Sequence, residues 1–358
     1  MKKEKTNRTG ARVLFFIVPL VFLVLFLSCR SSYYQLEIEV QEPALITFPI
    51  DIKELIIINN TVQHPKDVNI IRTYQEIAIE GDIYDLDIDS LSWTAAISLS
   101  SHVKNAAFFD EIFLYNERTR EDDNWITTIP LAEEFRNDIF NTQGFDGIVS
   151  IDRFLFKLDQ HVKPNSIVTN HIDIKAEGQL TCSIYLYNRE RPLTTFTISD
   201  SLSYKWTDYG DSVTIFKEIP ENFLYDLAYN MGEKLAHSIV PSWFRETRII
   251  YAGIEARMQE AYRYSKNGRW SVAESIWLNE YEKKSKESDK GKIANNIALA
   301  NEMQDRLEEA LSWAEKAKEH FQKSDLSKNS HINTYVSDLQ KRIRNNQILN
   351  LQQFGTED

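Results

Sequence analysis

Cysteine is nearly missing from this 358-residue chain, with only Cys29 and Cys182 present. That excludes a framework of several disulfides and any four-thiolate zinc site. Glycine is scarce at eleven residues, and no G-x-G-x-x-G, P-loop or G-x-S-x-G stretch occurs. Phosphate-cradling loops and a nucleophile elbow are therefore not expected. The seven histidines (His64, His102, His161, His171, His237, His320 and His331) never adopt an H-x-x-x-H spacing, so no zinc or other metal site is expected. Positive charge is in deficit, with 41 Lys and Arg against 53 Asp and Glu for a net charge of −12. An acidic chain disfavours non-specific attraction to nucleic acid. Nor is there a long membrane-spanning run. Val13–Leu27 gives fifteen uncharged residues, short of the about 20 that a spanning helix needs.

What is present begins at the N-terminus. Five basic residues (Lys2, Lys3, Lys5, Arg8 and Arg12) precede the apolar run, and Phe26-Leu27-Ser28-Cys29 follows it. A basic start, a short apolar region and small residues form the pattern of a secretory signal. The last four residues resemble a bacterial lipobox, which makes residues 1–28 a lipoprotein signal peptide and Cys29 the lipidation site. Phe26 departs from the more usual leucine. Removing residues 1–28 takes five basic groups and one acid, leaving a net charge of about −16, so attachment to a membrane would rest on lipid. Arg30 in place of Asp resembles the signal for release to the outer membrane in Gram-negative sorting. Arg30-Ser31-Ser32 also lacks the acidic cluster of surface-exported lipoproteins. The expected address is the outer membrane, facing the periplasm.

The mature part divides by hydrophobic period. Residues 29–45 read as a tether and first strand, since "YYQLEIEV" alternates Leu36, Ile38 and Val40 against Glu37 and Glu39. Residues 46–240 read as an α/β domain. "ELIIINN" (54–60) is a continuous apolar run, the mark of a strand covered on both faces. Further strands are expected at 110–117, 146–156, 175–188 and 195–206, with helices at 90–106, 130–141 and 220–240. The last helix sets Leu224, Leu227, Met231 and Leu235 on one face. The order β-β-α-β-α-β-β-β-α predicts a mixed sheet with helices packed on it. Asp146 and Asp152 are expected to be strand-end carboxylates, and "ERTREDDN" (117–124) a solvated loop. Cys182 lies within an alternating strand and is expected to be a small buried residue. Asn59-Asn60-Thr61 matches a glycosylation sequon but closes a predicted strand and is discounted. Asp89-Ser90-Leu91, Asp200-Ser201-Leu202 and Asp211-Ser212-Val213 resemble the short O-glycosylation motif of Bacteroidota.

From Pro241 the period becomes helical, and residues 241–358 form the second domain. "AYRYSKNGRWSVAESIW" (261–277) aligns with "ALANEMQDRLEEALSWA" (298–314) at a constant offset of 37. Ala261 meets Ala298, Gly268 meets Asp305, Trp270 meets Leu307, and Ala273 meets Ala310. This is a tetratricopeptide-like pattern, two helical hairpins followed by a capping helix at 331–345. Gly268 is placed to end a helix in the left-handed region, and Asp305 with Glu308 to begin one as a capping box. "PSWFRETRIIYAG" (241–253) is expected to dock the helices on the α/β domain, and "QQFGTED" to fray. By the register, Glu255, Met258, Tyr262 and Lys266 of the first repeat and Lys292, Asn295 and Glu302 of the second line a concave surface suited to a peptide.

Lipobox, "LEIEVQEPALITFPIDIKELIIINN", "IVPSWFRETRIIYAG" and the Trp- and Ala-rich repeat together resemble an uncharacterised family of Bacteroidota lipoproteins. That family pairs a domain of unknown function with a tetratricopeptide-like end, and the resemblance implies no catalytic residues and no cofactor. The expected function is a lipid-anchored, non-catalytic adaptor that binds another envelope protein through its repeat. The alternatives are a structural part of an envelope secretion or assembly complex, and a carboxylate-dependent hydrolase of envelope glycans.

Overall fold

The computed structural model describes residues 33–62, 70–74, 77–78, 88–164, 170–208, 222–324 and 330–355. The signal segment, Cys29 and Asp211–Val213 lie outside them. The chain forms two compact units, and neither is continuous in sequence. One takes the described residues up to Val40 with Phe244–Asn345, the other Gln41–Trp243 with the described residues from Asn346.

The second of these is built on a mixed sheet. Strand β2 (Glu54–Asn59) lies between β5 (Glu111–Tyr115) and β6 (Gly147–Pro164), parallel to both. Strand β3 (Ile70–Tyr74) runs parallel to the far end of β6, and the short β4 (Ile77–Ala78) pairs with β3. On its other side β6 pairs antiparallel with β7 (Asn170–Leu186), which pairs with β8 (Thr194–Asp208). The β3–β4 pair is an addition to the expected strands, and β6 and β7 extend well beyond their expected ends.

Apolar periodicity decides which face each helix covers. Leu55 and Ile57 of β2 pack with α1 (Ile88–Asn105) and α3 (Phe223–Ile239), while Ile56 and Ile58 pack in a cluster with Leu131, Phe135 and Ile139. Those last residues lie in and around α2 (Glu133–Asp138) and the π-helical turn Ile139–Gln143 that prolongs it. A strand buried on both faces needs apolar residues at consecutive positions, which "LIII" provides. Leu224, Leu227, Met231 and Leu235 are all buried on α3. Helix α3 crosses α1 closely at Gly232, where a Cβ would lie 2.7 Å from Ser98 Cβ.

A β-bulge divides β6 between Ile151 and Arg153. Before it the odd residues Val149 and Ile151 join the α1–α3 core, and after it the even residues Phe154, Phe156 and Leu158 do. One extra residue reverses the alternation, and that residue is Asp152. The chain is held near its C-terminal side as well. Gln352 is buried, accepts from Ala44 N at 3.1 Å and donates to Ala44 O at 2.8 Å. The expected fraying is corrected on that account for residues 352–355, while 356–358 lie outside the described residues.

The other unit holds two helical hairpins, α4 (Ala256–Lys266) with α5 (Trp270–Lys283) and α6 (Glu287–Glu302) with α7 (Leu307–Gln322). Helix α8 (Ser330–Phe354) contributes Ile332, Tyr335, Val336 and Leu339 to the core of the second hairpin. Ala261, Ala273, Ala298 and Ala310 are fully buried, small enough for the paired helices to approach. Gly268 has φ +71° and Asp305 φ +58°, so the residues matched at offset 37 share the left-handed conformation at the same turn. The capping-box reading of Asp305 is corrected by this. The residue before α7 is Arg306, with no side-chain cap, and Asp305 completes the preceding turn instead.

Residues 242–251 are not helical. They form β9 (Ser242–Tyr251), paired with β1 (Tyr33–Glu42) in a two-stranded ribbon. The expectation that counts the first strand in the mixed sheet is corrected here. Most of that strand belongs to the helical unit, because its partner lies there. Ile250 and Tyr251 are buried on β9, whereas Trp243 is 65 % exposed.

Candidate functional site

The inner face of the helical repeat is the first candidate, and the chain fills it with its own ribbon. Two consecutive, fully buried asparagines of α6 hold the backbone of β9. Asn296 accepts from Tyr251 N at 2.8 Å and donates to Tyr251 O at 2.6 Å, and Asn295 donates to Ile249 O at 2.7 Å. Their amides supply the donors and acceptor that a neighbouring strand would supply. On the β1 side, Tyr34 stacks on Tyr262 with centroids 4.7 Å apart and 11° between planes. Tyr33 meets Tyr251 edge-on at 6.4 Å.

A buried ion cluster closes this interface. Arg248 of β9 donates to Glu302 from Nε at 3.1 Å and from Nη2 at 3.0 Å, to Asp338 at 3.3 Å, and also to Glu246. Arg342 and Tyr335 donate to the same Glu302 carboxylate at 3.0 and 2.9 Å. The side chains of Arg248 and Glu302 are 4 % and 0 % exposed. Burial works against the charge on Arg248, but hydrogen bonds and charge from Glu302, with the charge of Glu246, outweigh it and hold the guanidinium above its ordinary value.

The residues expected to bind a partner are thus largely engaged within the chain. Met258, Asn295 and Glu302 are buried, and Tyr262 carries Tyr34. Glu255 pairs with Lys284 at 2.6 Å, Lys292 with Asp289 at 3.7 Å, and Lys266 stands 5.9 Å over the Tyr262 ring. The repeat register identifies the inward positions but puts a foreign peptide where β1 and β9 lie. No local pattern links residues 33–42 to 242–251, so only the fold reveals that pairing.

The second candidate lies at the carboxyl ends of the parallel strands. From β2 the chain crosses one face through α1 to reach β5, then the other through α2 to reach β6. The end of β2 is therefore a topological switch point, the place where open α/β sheets hold ligands. There Asn59, Asn60, Ser92, Ser150, Asp152 and Ser183 are all buried. Asp152 Oδ1 accepts from Ser150 at 2.6 Å and Asn60 at 3.2 Å, while Oδ2 is buried with no hydrogen-bond partner among the described residues. Burial raises the Asp152 carboxyl above its ordinary value against the pull of Ser150, Ser183 and Asn60. Burial, followed by the Asp152 charge, pushes the Cys182 thiol well up, so Cys182 is an inert thiol.

The segment between β5 and α2 covers this cluster. Thr119 donates to Asn60 Oδ1 at 2.7 Å, Asn60 donates to Ile129 O at 3.0 Å, and Arg153 donates to Ile126 O at 2.9 Å. The Arg120 side chain is only 8 % exposed and clasps Asp122 through two bonds of 2.6 and 2.8 Å. The expected solvated loop thus turns Thr119 and Arg120 inward. Asp146 is a turn carboxylate, accepting from Lys53 N at 2.7 Å and Glu54 N at 3.0 Å at the opposite end of β2. The sequon residues Asn59 and Thr61 bond each other at 2.8 Å. Ser90 faces Tyr225 OH at 2.9 Å, and Ser201 is exposed on β8.

Residues 52–251, more than half of the chain, match the family model "Domain of unknown function (DUF8603)". The chain belongs to that DUF8603 family. Residues 259–341 of this DUF8603 chain also match a second model, "Domain of unknown function (DUF6340)", which spans the repeat. No curated protein matches the chain. Solved structures similar to part of it include a minor lipoprotein from Acinetobacter baumannii, 8 % identical over 53 % of this chain and 92 % of that one, with a TM-score of 0.26. A neuraminyllactose-binding hemagglutinin homolog from Helicobacter pylori is 9 % identical over 56 % and 88 %, also with a TM-score of 0.26. A hypothetical protein from Chlamydia trachomatis is 8 % identical over 52 % and 98 %, with a TM-score of 0.25. Likeness at that level carries no argument about this chain. Among the described residues no helix is long and apolar enough to cross a membrane, and no group of three or more His, Cys, Asp or Glu is placed to hold a metal ion.

Proposed function

We propose that this DUF8603 protein is a lipid-anchored adaptor of the outer membrane in a Bacteroidota-type envelope, facing the periplasm, attached through Cys29 and working without catalysis. The observation that carries the reading is the strand in the repeat's inner face. Strand β1 begins at Tyr33, four residues after Cys29, and its first two rings lie on Tyr251 and Tyr262. Four extended residues span at most about 14 Å, so the repeat holds the chain immediately beside the anchor. The groove that such repeats offer to peptides is used here to grip the tether. A partner envelope protein then docks on another face.

Two measurements test this. An exported Cys29→Ala variant should leave the membrane fraction while its leader is still cleaved. If it partitions with membranes as the parent does, the anchor is refuted. Crosslinking in intact cells should trap one defined envelope protein, and the adduct should survive replacement of Lys266. Loss of the adduct in a folded Lys266→Ala variant would return partner binding to the inner face.

A further inference from the structure

The repeat offers an internal measure of what fits its open end. At the junction of the two hairpins, Tyr281 of α5 inserts against α7. Its ring meets Trp313 edge-on, with centroids 5.2 Å apart at 90°, and its hydroxyl lies 2.7 Å from His320 Nε2. Shifted back by the repeat offset of 37, Trp313 and His320 become Ile276 and Lys283 of α5. Both line an open groove of about 400 Å³ with Arg257, Val272, Asn279 and Glu280. At the same offset Tyr281 becomes Phe244, which lies on strand β9 and does not line the groove, and among the described residues of this unit no helix precedes α4 to lay an aromatic residue there. The exposed Ser271 and Ser275 at the rim let a helix backbone come near, and the Lys283–Glu280 pair, 2.8 Å apart, stands where His320 meets the phenol one repeat on.

We propose that this groove docks an amphipathic helix of a partner protein, which inserts one tyrosine ring against Ile276 and sets its hydroxyl at the Lys283–Glu280 pair. The occupant is specified by the repeat: a helix that lies as α5 lies on α7 and carries an aromatic residue at the position of Tyr281. Half-buried Val272 and Ile276 supply the apolar contact. The proposal gives the adaptor reading a docking face and rests on that reading for its biological setting.

The test uses the full-length chain in detergent and a helix-stapled peptide with this chain's own residues 270–284 as probe, because that segment fills the equivalent position one repeat on. In a fluorescence-anisotropy titration the peptide should bind saturably, and a Tyr281→Ala peptide should bind about tenfold more weakly. Ile276→Asp in the protein should abolish binding. Ser275→Arg, at an exposed position that leaves the helix core untouched, should do the same with the circular dichroism and melting temperature of the parent. Equal binding of the two peptides, binding that survives Ser275→Arg, or no saturable binding at about millimolar concentration overturns the proposal. Failure here leaves the membrane-fractionation result standing, and failure of that fractionation leaves this titration standing.

Discussion

Replacing Arg248 by methionine tests whether the ion cluster holds the ribbon in the repeat. The change keeps an apolar stem of similar length but strands the fully buried Glu302, which then has only Arg342 and Tyr335. Removing one member of a buried ion pair typically costs about 3–5 kcal/mol, because the remaining charge is poorly compensated. Arg342 still donates at 3.0 Å, so the lower end applies, about 3 kcal/mol. For a unit of roughly 105 described residues each kcal/mol moves the melting temperature by about 4 °C, which gives a drop of about 12 °C. Replacing Glu302 by leucine in the same chain removes the stranded charge, and apolar substitution of a whole buried pair is often near neutral. The double variant should therefore recover most of the loss. Scanning calorimetry of the four proteins in the cycle gives the coupling, expected at about 2 kcal/mol or more for residues in direct contact. An Arg248→Met chain that melts with the parent, or a double variant less stable than either single one, would refute the reasoning.

Gly232→Ala should destabilise the α/β unit by about 1–3 kcal/mol as an overpacked core does. The new methyl strikes the Ala95 carbonyl and the Ser98 side chain, and chemical denaturation would show the loss. His331 is half-buried beside the Tyr251 hydroxyl at 3.0 Å, and burial lowers its pKa below the ordinary 6.5. The unfolded chain takes up this proton first, so stability is complete above pH 6.5 and falls as pH drops through that value towards the folded pKa. A His331→Phe variant should show a flatter melting profile between neutral and mildly acid pH. At the edge of the sheet, Lys234 donates to Ser199 O at 2.6 Å, and Ser201 N donates to Asp200 Oδ1 at 2.9 Å. These side chains occupy backbone groups on a strand that otherwise invites pairing. Replacing Lys234 and Asp200 by alanine should make the protein associate in a concentration-dependent way in sedimentation experiments.

Patterns confined to one element are legible in the sequence itself. The four consecutive apolar residues of β2, the buried stripe of α3 and the 37-residue offset each depend on neighbours within one strand, helix or hairpin. The offset also pairs Gly268 with Asp305, but the left-handed backbone the two share emerges only in the structure. What the sequence hides depends on distant partners. The Asp305–Glu308 spacing imitates a helix start because both residue types favour that position, while the turn before α7 needs a left-handed residue there. The strand character of residues 242–251 comes from β1 and from the amides of Asn295 and Asn296, so their local pattern is no guide. Asp152 stands out in the sequence only as a carboxylate in a strand. Its burial follows from a bulge, marked by apolar positions moving from odd to even across Ile151-Asp152-Arg153.

The interleaved makeup of the helical unit sets an order of events during synthesis. Strand β1 leaves the ribosome about 200 residues ahead of β9. At about 5–20 residues per second that interval lasts roughly 10–40 s. For that time a ten-residue strand has no partner, and an unpaired strand is a template for aggregation. Its solvent face carries Glu37 and Glu39, whose repulsion between neighbouring copies guards the nascent chain until the second half of the ribbon arrives.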